Sequence, residues 1–207
     1  MEKNPTGSDM FDELIGGYEV GAITTIFGPA GAGKTNACML ALIRTAGRGK
    51  KIVYIDTESR FSIERLQQIT KYANKVLPNV ILFTPKTFNE QEAIVKKMSS
   101  LRNLGLVVVD SLSGLYRLEK TKQANMILKR HIAQLVSCAR FHNIPIILTA
   151  QVYTDMDTGK NRMVTEKMVK NASKCVIELQ IEGTKRVALC SGQRKEFCIT
   201  EKGITSL

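Results

Sequence analysis

Short apolar runs alternate with longer amphipathic stretches along the first three quarters of the chain. Five runs are rich in Val and Ile and apolar at consecutive positions, which predicts strands covered on both faces: Ala22–Phe27, Ile52–Asp56, Val80–Thr84, Leu106–Asp110 and Pro145–Gln151. The clearest helical pattern spans about 124–141, where apolar residues recur at three- and four-residue steps. This alternation is typical of an α/β fold with a mostly parallel central sheet flanked by helices.

The pattern changes after Gln151. A polar stretch is followed by runs of alternating polarity, which predict a C-terminal antiparallel β extension of the sheet: Cys175–Ile181, Arg186–Cys190 and Glu196–Thr200. The sequence shows no internal repeat, low-complexity tract or linker. We therefore expect a single domain over residues 1–207.

Composition narrows the class of protein. Of 207 residues, 43% are hydrophobic and 24% are charged, as in globular proteins, and no apolar run approaches the ~18 residues that span a bilayer. The five cysteines are scattered and never form a C-x-x-C pair, which favours reduced thiols over disulfides or a zinc site. We expect a cytoplasmic protein with no membrane partner. The net charge of +11 indicates either an anionic partner or a generally basic surface.

A glycine-rich segment follows the first predicted strand. Residues 28–35 match G-x-x-x-x-G-K-[ST], whose glycines let backbone N–H groups and the next helix surround phosphate oxygens. Lys34 supplies positive charge to the β- and γ-phosphates, and the Thr35 hydroxyl is a natural Mg²⁺ ligand. An accidental strand–helix turn is the alternative. The predicted nucleotide-binding residues are Gly28, Pro29, Ala30, Gly31, Ala32, Gly33, Lys34, Thr35 and Asn36.

Polar residues end three other predicted strands. Asp110 is the second metal ligand that such a site needs, although an Asp also opens ordinary turns. Many nucleoside-triphosphatases carry Glu directly after this Asp, but here Ser111 follows, so Glu58 is the candidate for positioning water. Glu58 is otherwise a solvated loop carboxylate, and Asp56 is expected to brace the strand end. Gln151 is either a hydrogen-bonding partner of the γ-phosphate or simply a strand end.

Further segments resemble the RecA-like recombinases. Thr6-Gly7, residues 11–17 (FDELIGG) and residues 21–24 (GAIT) resemble the entry to the ATPase core of that family, and residues 54–58 (YIDTE) resemble its archaeal and eukaryotic branch. The resemblance to the RadB family, short archaeal paralogues of the recombinase RadA, covers almost the whole chain. It is carried by residues 79–85, Glu90-Gln91, Asp110-Ser111, residues 116–119, residues 142–145 and residues 197–204.

The resemblance implies a RecA-like P-loop ATPase core and roles for single residues. Glu58 matches the family's catalytic glutamate, Gln151 the glutamine that senses the γ-phosphate and couples it to DNA binding, and Arg65 the arginine that stacks on adenine. The stretch after Asp110 and the stretch 152–171 match the two loops that face DNA. The candidate catalytic residues are thus Glu58, Lys34 and Gln151.

Basic residues cluster in these two stretches, where they would neutralise DNA phosphates without reading sequence. Tyr116 and Tyr153 would offer stacking faces beside them. Ordinary surface charge is the alternative explanation. The candidate DNA-binding residues are Tyr116, Arg117, Lys120, Lys122, Lys160, Arg162, Lys167 and Lys170, with Lys174 just beyond the second stretch.

The resemblance implies an ATP- and DNA-binding accessory protein of homologous recombination and DNA repair. Such proteins have weak ATPase activity and no strand exchange, and act beside the RadA recombinase and a Holliday-junction resolvase. The sequence begins at the ATPase core, so we expect it to lack the helical N-terminal domain and linker with which full-length members build filaments. Ala150 replaces their usual Asn, and residues 190–195 are shorter than their proline-bearing cap.

Two other functions stay open from the sequence. One is a RecA-fold regulatory ATPase that acts on protein partners without DNA. The other is a small-molecule kinase, although no insertion resembles an arginine-rich lid. Outside these sites, His131 lies in the predicted helix and is expected at the surface or half-buried.

Overall fold

The computed structural model describes residues 2–119, 121–154, 161–163 and 166–207. Its strands are β1 (Lys3–Asn4), β2 (Tyr18–Glu19), β3 (Ile23–Gly28), β4 (Lys51–Asp56), β5 (Val80–Phe83), β6 (Leu104–Asp110), β7 (Ile146–Thr154), β8 (Asn161–Met163), β9 (Cys175–Glu182), β10 (Lys185–Cys190), β11 (Gln193–Thr200) and β12 (Gly203–Ser206). Its α-helices are α1 (Asp9–Ile15), α2 (Lys34–Ala46), α3 (Ile63–Ile69), α4 (Ala73–Val76), α5 (Phe88–Lys97), α6 (Tyr116–Glu119), α7 (Lys122–His142) and α8 (Glu166–Ala172). Short 3₁₀ turns cover Leu77–Asn79 and Met98–Ser100.

One large sheet organises the described part of the chain. Its strand order is β12-β11-β10-β9-β3-β7-β6-β4-β5, and β8 pairs with β7. The pairs from β9 through to β5 are parallel, whereas β9 to β12 form an antiparallel meander. The carboxyl ends of β3, β4, β6 and β7 therefore share one edge, where ligands bind in open α/β sheets.

The central strands are buried on both faces because helices cover both sides of the sheet. On β4, Ile52 and Tyr54 pack in a cluster with α1–α4, while Val53 and Ile55 pack in a second cluster with α5, α7 and α8. All four side chains are fully buried. The consecutive apolar residues of the predicted central strands reflect this two-sided burial. For Val80–Thr84 the predicted cover on both faces is wrong, because β5 is the edge strand of the sheet and Leu82 is 42% exposed.

The antiparallel extension packs beside the glycine-rich loop. Phe197 of β11 is fully buried and its ring lies 6.4 Å from that of Phe11 in α1. A Cβ added at Gly33 would lie 3.2 Å from Cδ1 of Ile199, and one at Gly28 would lie 2.3 Å from the carbonyl oxygen of Leu179. Glycine is thus needed at Gly28 for close backbone approach and at Gly33, where φ is 107°, for conformation as well.

The predicted fold is confirmed: the sheet is mostly parallel, and the C-terminal strands are antiparallel. The predicted helix at about 124–141 is α7. The stretch 152–171, predicted as a loop, is different, because β7 continues to Thr154, Arg162 lies in β8 and residues 166–172 form α8. Short edge strands and helices of this kind lack a strong apolar period of their own.

Two side-chain predictions are wrong. Tyr116 is 9% exposed, with its ring against Phe88 and its hydroxyl donating to Asn125 Oδ1 at 2.6 Å, so it offers no stacking face for DNA. His131 is fully buried in the contact of α7 with α5, because the polar ring lies on the apolar side of α7. Among the described helices, none is long and apolar enough to cross a membrane.

Candidate functional site

The glycine-rich loop connects β3 to α2. Strand β3 ends at Gly28 and α2 begins at Lys34, so the free N–H groups of the first helical turn open onto the loop. Gly28, Gly31 and Gly33 all have positive φ. Backbone N–H groups at a helix start, next to a glycine-rich turn, form a site for phosphate oxygens.

Lys34 lies inside this loop. Its ammonium donates hydrogen bonds to the carbonyl oxygens of Gly28 (2.7 Å) and Pro29 (2.8 Å), and the residue is buried. Burial lowers the pKa of Lys34, while the carboxylates of Asp110 and Glu58 oppose that shift. The cation is therefore held where phosphate groups on the loop would meet it.

Asp110, at the end of β6, accepts hydrogen bonds from three hydroxyl groups. Thr35 donates to its Oδ2 at 2.9 Å, Tyr54 donates to the same oxygen at 2.8 Å, and Thr149 donates to its Oδ1 at 2.5 Å. Burial, followed by the charge of Asp110, raises the pKa of Tyr54, which keeps its hydroxyl a donor. These contacts hold the carboxylate beside the Thr35 hydroxyl.

The Thr35–Asp110 pair fits a magnesium ion. Hydroxyl and carboxylate oxygens are the hard ligands that Mg²⁺ prefers, and Mg²⁺ is commonly held by few protein groups together with the phosphates. No cluster of three or more His, Cys, Asp or Glu side chains that would bind a metal occurs among the described residues.

Glu58 follows β4 and contacts two hydrogen-bond donors and one cation. Its Oε1 accepts hydrogen bonds from Ser111 Oγ (2.7 Å) and Gln151 Nε2 (2.6 Å). Its Oε2 lies 3.0 Å from Nε of Arg60. The sequence placed Glu58 and Gln151 on separate strand ends, and the structure brings them into direct contact.

Asp56 and Thr57 hold the segment that carries Glu58 in place through hydrogen bonds. Asp56 accepts hydrogen bonds from the backbone N–H groups of Glu58 (3.1 Å) and Phe61 (2.8 Å), the bracing role expected for it. The Thr57 hydroxyl accepts from the N–H of Ser111 and donates to its carbonyl oxygen. These bonds join the end of β4 to the end of β6 at the residue that precedes Glu58.

A side-chain contact leads from this site to the candidate DNA face. Gln151 donates to Glu58 through its amide nitrogen and accepts from Arg117 Nη1 at 2.7 Å through its amide oxygen. Arg117 is exposed at its position in α6. One glutamine therefore joins the candidate catalytic carboxylate to a surface cation.

Comparison with known proteins supplies a family. The Rad51 family profile matches residues 3–201. The DNA repair and recombination protein RadB of Methanococcoides burtonii is 35% identical over 210 residues, covering 93% of each chain, and RadB of Methanoculleus marisnigri is 33% identical, covering 98% of this chain and 97% of the relative. A crystal structure of the RadB recombinase superposes with a TM-score of 0.83 at 33% identity, covering 98% of both chains.

The chain belongs to the RadB family. It has the RecA-like fold. Membership of the family does not by itself assign a role to any single side chain. Such roles have to be argued from the geometry of this chain.

Arg65, for which the RadB resemblance implies stacking on adenine, is fixed at the side of the loop. Its Nε and Nη2 both donate to Asn36 Oδ1, at 2.9 and 2.7 Å, and Nη2 also donates to the carbonyl oxygen of Thr200 at 2.7 Å. The Ser62 hydroxyl caps α3 by accepting from the Arg65 N–H. The guanidinium therefore lies between the start of α2 and the end of β11.

The other predicted DNA contacts lie on several elements. Arg162 in β8 is paired in register with the exposed Tyr153 in β7, and Lys167 and Lys170 are exposed on α8, where Lys170 pairs with Glu166 at 2.5 Å. The N–H of Lys174 bonds the carbonyl oxygen of Ile23, which places Lys174 at the opposite sheet edge. Lys120 and Lys160 lie outside the described residues, and of Lys122 only its position at the start of α7 is described.

Sequence reasoning missed four residues around this site. Tyr54 and Thr149 hold Asp110, Arg60 contacts Glu58, and Arg186 of β10 reaches the carbonyl oxygen of Gly31 at 3.5 Å. Arg60 is two residues after Glu58, so the sequence alone shows a positive charge close to the candidate carboxylate. The other three reach the site only through the pairing of the strands.

Proposed function

We propose that this protein binds ATP with Mg²⁺, hydrolyses ATP slowly, and binds DNA as an accessory protein of homologous recombination and DNA repair. The observation that supports it most is the meeting of Lys34, the Thr35–Asp110 pair and the Glu58–Gln151 pair at one sheet edge. The RadB relatives carry the name DNA repair and recombination protein.

ATP would lie along the loop from Arg65 to Glu58. The loop N–H groups and Lys34 would bind the phosphates, Thr35 and Asp110 would hold Mg²⁺, and Arg65 would face the adenine. When bound, Mg²⁺ supplies charge neutralisation at the phosphate oxygens. Lys34 contributes a second positive charge that stays inside the loop through its bonds to two carbonyl oxygens.

Hydrolysis needs one carboxylate beside the γ-phosphate. A water oxygen attacks the γ-phosphorus, the bond from that phosphorus to the bridging oxygen of the β-phosphate breaks, and the water proton passes to Glu58. ADP leaves with the bridging oxygen, and Glu58 returns its proton to solvent. The slow rate that we propose follows from the family resemblance, and Gln151 would exchange its bonds to Glu58 and Arg117 when it reaches the γ-phosphate.

The same exchange would connect ATP to DNA. When Gln151 bonds the γ-phosphate, Arg117 loses its partner and becomes available to a DNA phosphate. Arg162, Lys167 and Lys170 lie on the elements that follow β7 and would extend this contact along one strand. We further propose that the protein acts beside the RadA recombinase and a Holliday-junction resolvase, and performs no strand exchange itself.

Two variants test the ATP site. Lys34→Ala should abolish ATP binding measured by calorimetry, whereas Glu58→Gln should bind ATP with unchanged affinity and release no phosphate above background. Thr184→Ala, on the β9–β10 turn, is a control that should match the wild type in both assays. Phosphate release by Glu58→Gln at the wild-type rate would show that another group handles the water.

DNA binding is tested by anisotropy with labelled single-stranded and branched DNA at 50 and 200 mM salt, with and without ATP. We expect affinity to fall steeply with salt, and a double variant Arg162→Ala, Lys167→Ala to bind more weakly with a shallower salt slope. Absent or salt-independent binding would favour the alternative, a regulatory ATPase acting on protein partners. Adding RadA to the same titration tests the partner.

A further inference from the structure

The Glu58 carboxylate contacts one cation, Arg60, that belongs neither to the glycine-rich loop nor to the polar residues at the strand ends. Arg60 Nε lies 3.0 Å from Glu58 Oε2, and the side chain of Arg60 is 47% exposed while that of Glu58 is 14% exposed. The backbone on both sides of Arg60 is fixed, since Asp56 binds the N–H groups of Glu58 and Phe61. The Arg60 side chain therefore extends from a segment of backbone that is held in place by hydrogen bonds.

The two oxygens of Glu58 have different partners. Oε1 accepts hydrogen bonds from Ser111 and Gln151, while Oε2 forms an ion pair with Arg60. A carboxylate offers about four lone-pair positions, and the two hydrogen bonds use both of those on Oε1. Oε2 is therefore the oxygen through which Glu58 can accept a hydrogen bond from water.

The Glu58 carboxylate loses one hydrogen-bond donor if Gln151 turns to the γ-phosphate, as the proposed function requires. Ser111 then remains on Oε1 and Arg60 on Oε2. A hydrogen bond on one oxygen and an ion pair on the other restrict rotation of the carboxylate about its bond to Cγ, whereas Ser111 alone would leave it free to rotate. The positive charge of Arg60 also acts at the loop, where it contributes to lowering the pKa of Lys34, after burial.

We propose that Arg60 is a positioning residue for ATP hydrolysis, whose ion pair with Glu58 holds Oε2 in place so that this oxygen faces the attacking water. The inference rests on the proposed hydrolytic function of Glu58. Arg60 acts through Glu58, and its loss changes the orientation of the base and not the binding of ATP.

The test measures kcat and KM for ATP together with the dissociation constant of ATP, for wild type, Arg60→Ala and Arg60→Lys. Arg60→Ala should lower kcat about tenfold with KM and affinity within twofold of wild type, because a misdirected base affects only the chemical step. Arg60→Lys should recover part of the loss, since lysine keeps the charge but lacks the guanidinium geometry. Arg102→Ala removes an exposed arginine near the start of β6, at the opposite sheet edge, and should behave as wild type.

The outcomes separate this inference from the function on which it rests. If wild type releases no phosphate, or Glu58→Gln matches wild type, the hydrolytic function fails and the role of Arg60 with it. If Glu58→Gln is inactive but Arg60→Ala keeps the wild-type kcat, only the role of Arg60 is refuted. A raised KM with unchanged kcat would mean that Arg60 contacts phosphate, and a raised kcat that it restrains Glu58; both overturn the proposal. Arg60→Gln, which keeps the length of the side chain, repeats the test if the alanine variant does not fold.

Discussion

His131 makes the stability of this protein sensitive to mild acid. The ring is fully buried, lies 4.7 Å from the ring of Phe88, and neither of its nitrogens has a hydrogen-bond partner among the described residues. Burial lowers the pKa of His131 from 6.5 to about 4, an effect that Glu92 opposes and that Arg130 and Lys96 reinforce. The folded protein therefore holds this imidazole neutral at pH values where an exposed histidine is protonated.

The sign and size of the effect follow from proton linkage. Between pH 6.5 and 4 the unfolded chain binds a proton at this ring that the folded chain does not, so the free energy of unfolding falls as the pH falls. The contribution of His131 is complete above pH 6.5 and is lost toward pH 4. With these two pKa values, about 2 kcal/mol is lost between pH 7 and pH 5, which corresponds to roughly 4–8 °C in Tm for a chain of this length.

The assay is urea denaturation followed by circular dichroism at pH 7 and pH 5, on wild type, His131→Gln and His142→Gln. Other groups titrate in this range, so the quantity compared is the loss of unfolding free energy between the two pH values. We expect the loss to be about 2 kcal/mol smaller in His131→Gln than in wild type. His142→Gln, which changes the other histidine of the chain, is the matched control.

An equal loss in wild type and His131→Gln would refute the reasoning, since it would show that His131 is protonated alike in both states. A fall in stability on raising the pH from 5 to 7 that disappears in His131→Gln would reverse the sign. Direct titration of the ring by NMR provides an independent reading, with the midpoint expected near pH 4.

Three other predictions concern the loop, the buried carboxylate and the surface. Gly28→Ala should lower the unfolding free energy by about 2–4 kcal/mol, because its Cβ would lie 2.3 Å from a backbone oxygen of β9. Gly31→Ala, whose Cβ would have no atom within 4 Å, should cost only about 1 kcal/mol of backbone strain. Tyr54→Phe should cost about 1–3 kcal/mol in the same denaturation assay, because it removes one of the donors to the buried carboxylate that ends β6; no change would mean that this hydroxyl contributes nothing. Arg117→Ala should weaken DNA binding and lower the salt slope by about one, and Arg102→Ala should not; equal slopes in anisotropy titrations would exclude Arg117 from the interface.

Much of the fold was predictable because its signals are local. Four buried strands, the edge strand β5 and the long helix α7 were found within a few residues of their observed ends. Two-sided burial demands consecutive apolar residues, and helix α7 repeats its apolar face every three to four residues. The short elements β8, α8 and β12 were missed, because three to seven residues at a sheet edge or surface carry too weak a period. Tyr116 was misjudged for a related reason: a tyrosine in a basic stretch gives no sign of the Phe88 ring that covers it.

The sequence by itself determined the glycine-rich loop, the Thr35 and Asp110 pair as its metal-binding candidates, and the family to which the chain belongs. These depend on residue types at short spacings and on the rule that parallel strands end at a common edge. Only the tertiary structure decided which side chains touch there. Glu58 and Ser111 follow the ends of β4 and β6, and Gln151 lies within β7, 93 residues after Glu58. Their contact depends on strand order and register. Arg60 was visible beside Glu58 in the sequence, but its direction toward Oε2 depends on how Asp56 fixes the loop, and that distance is a property of the folded chain.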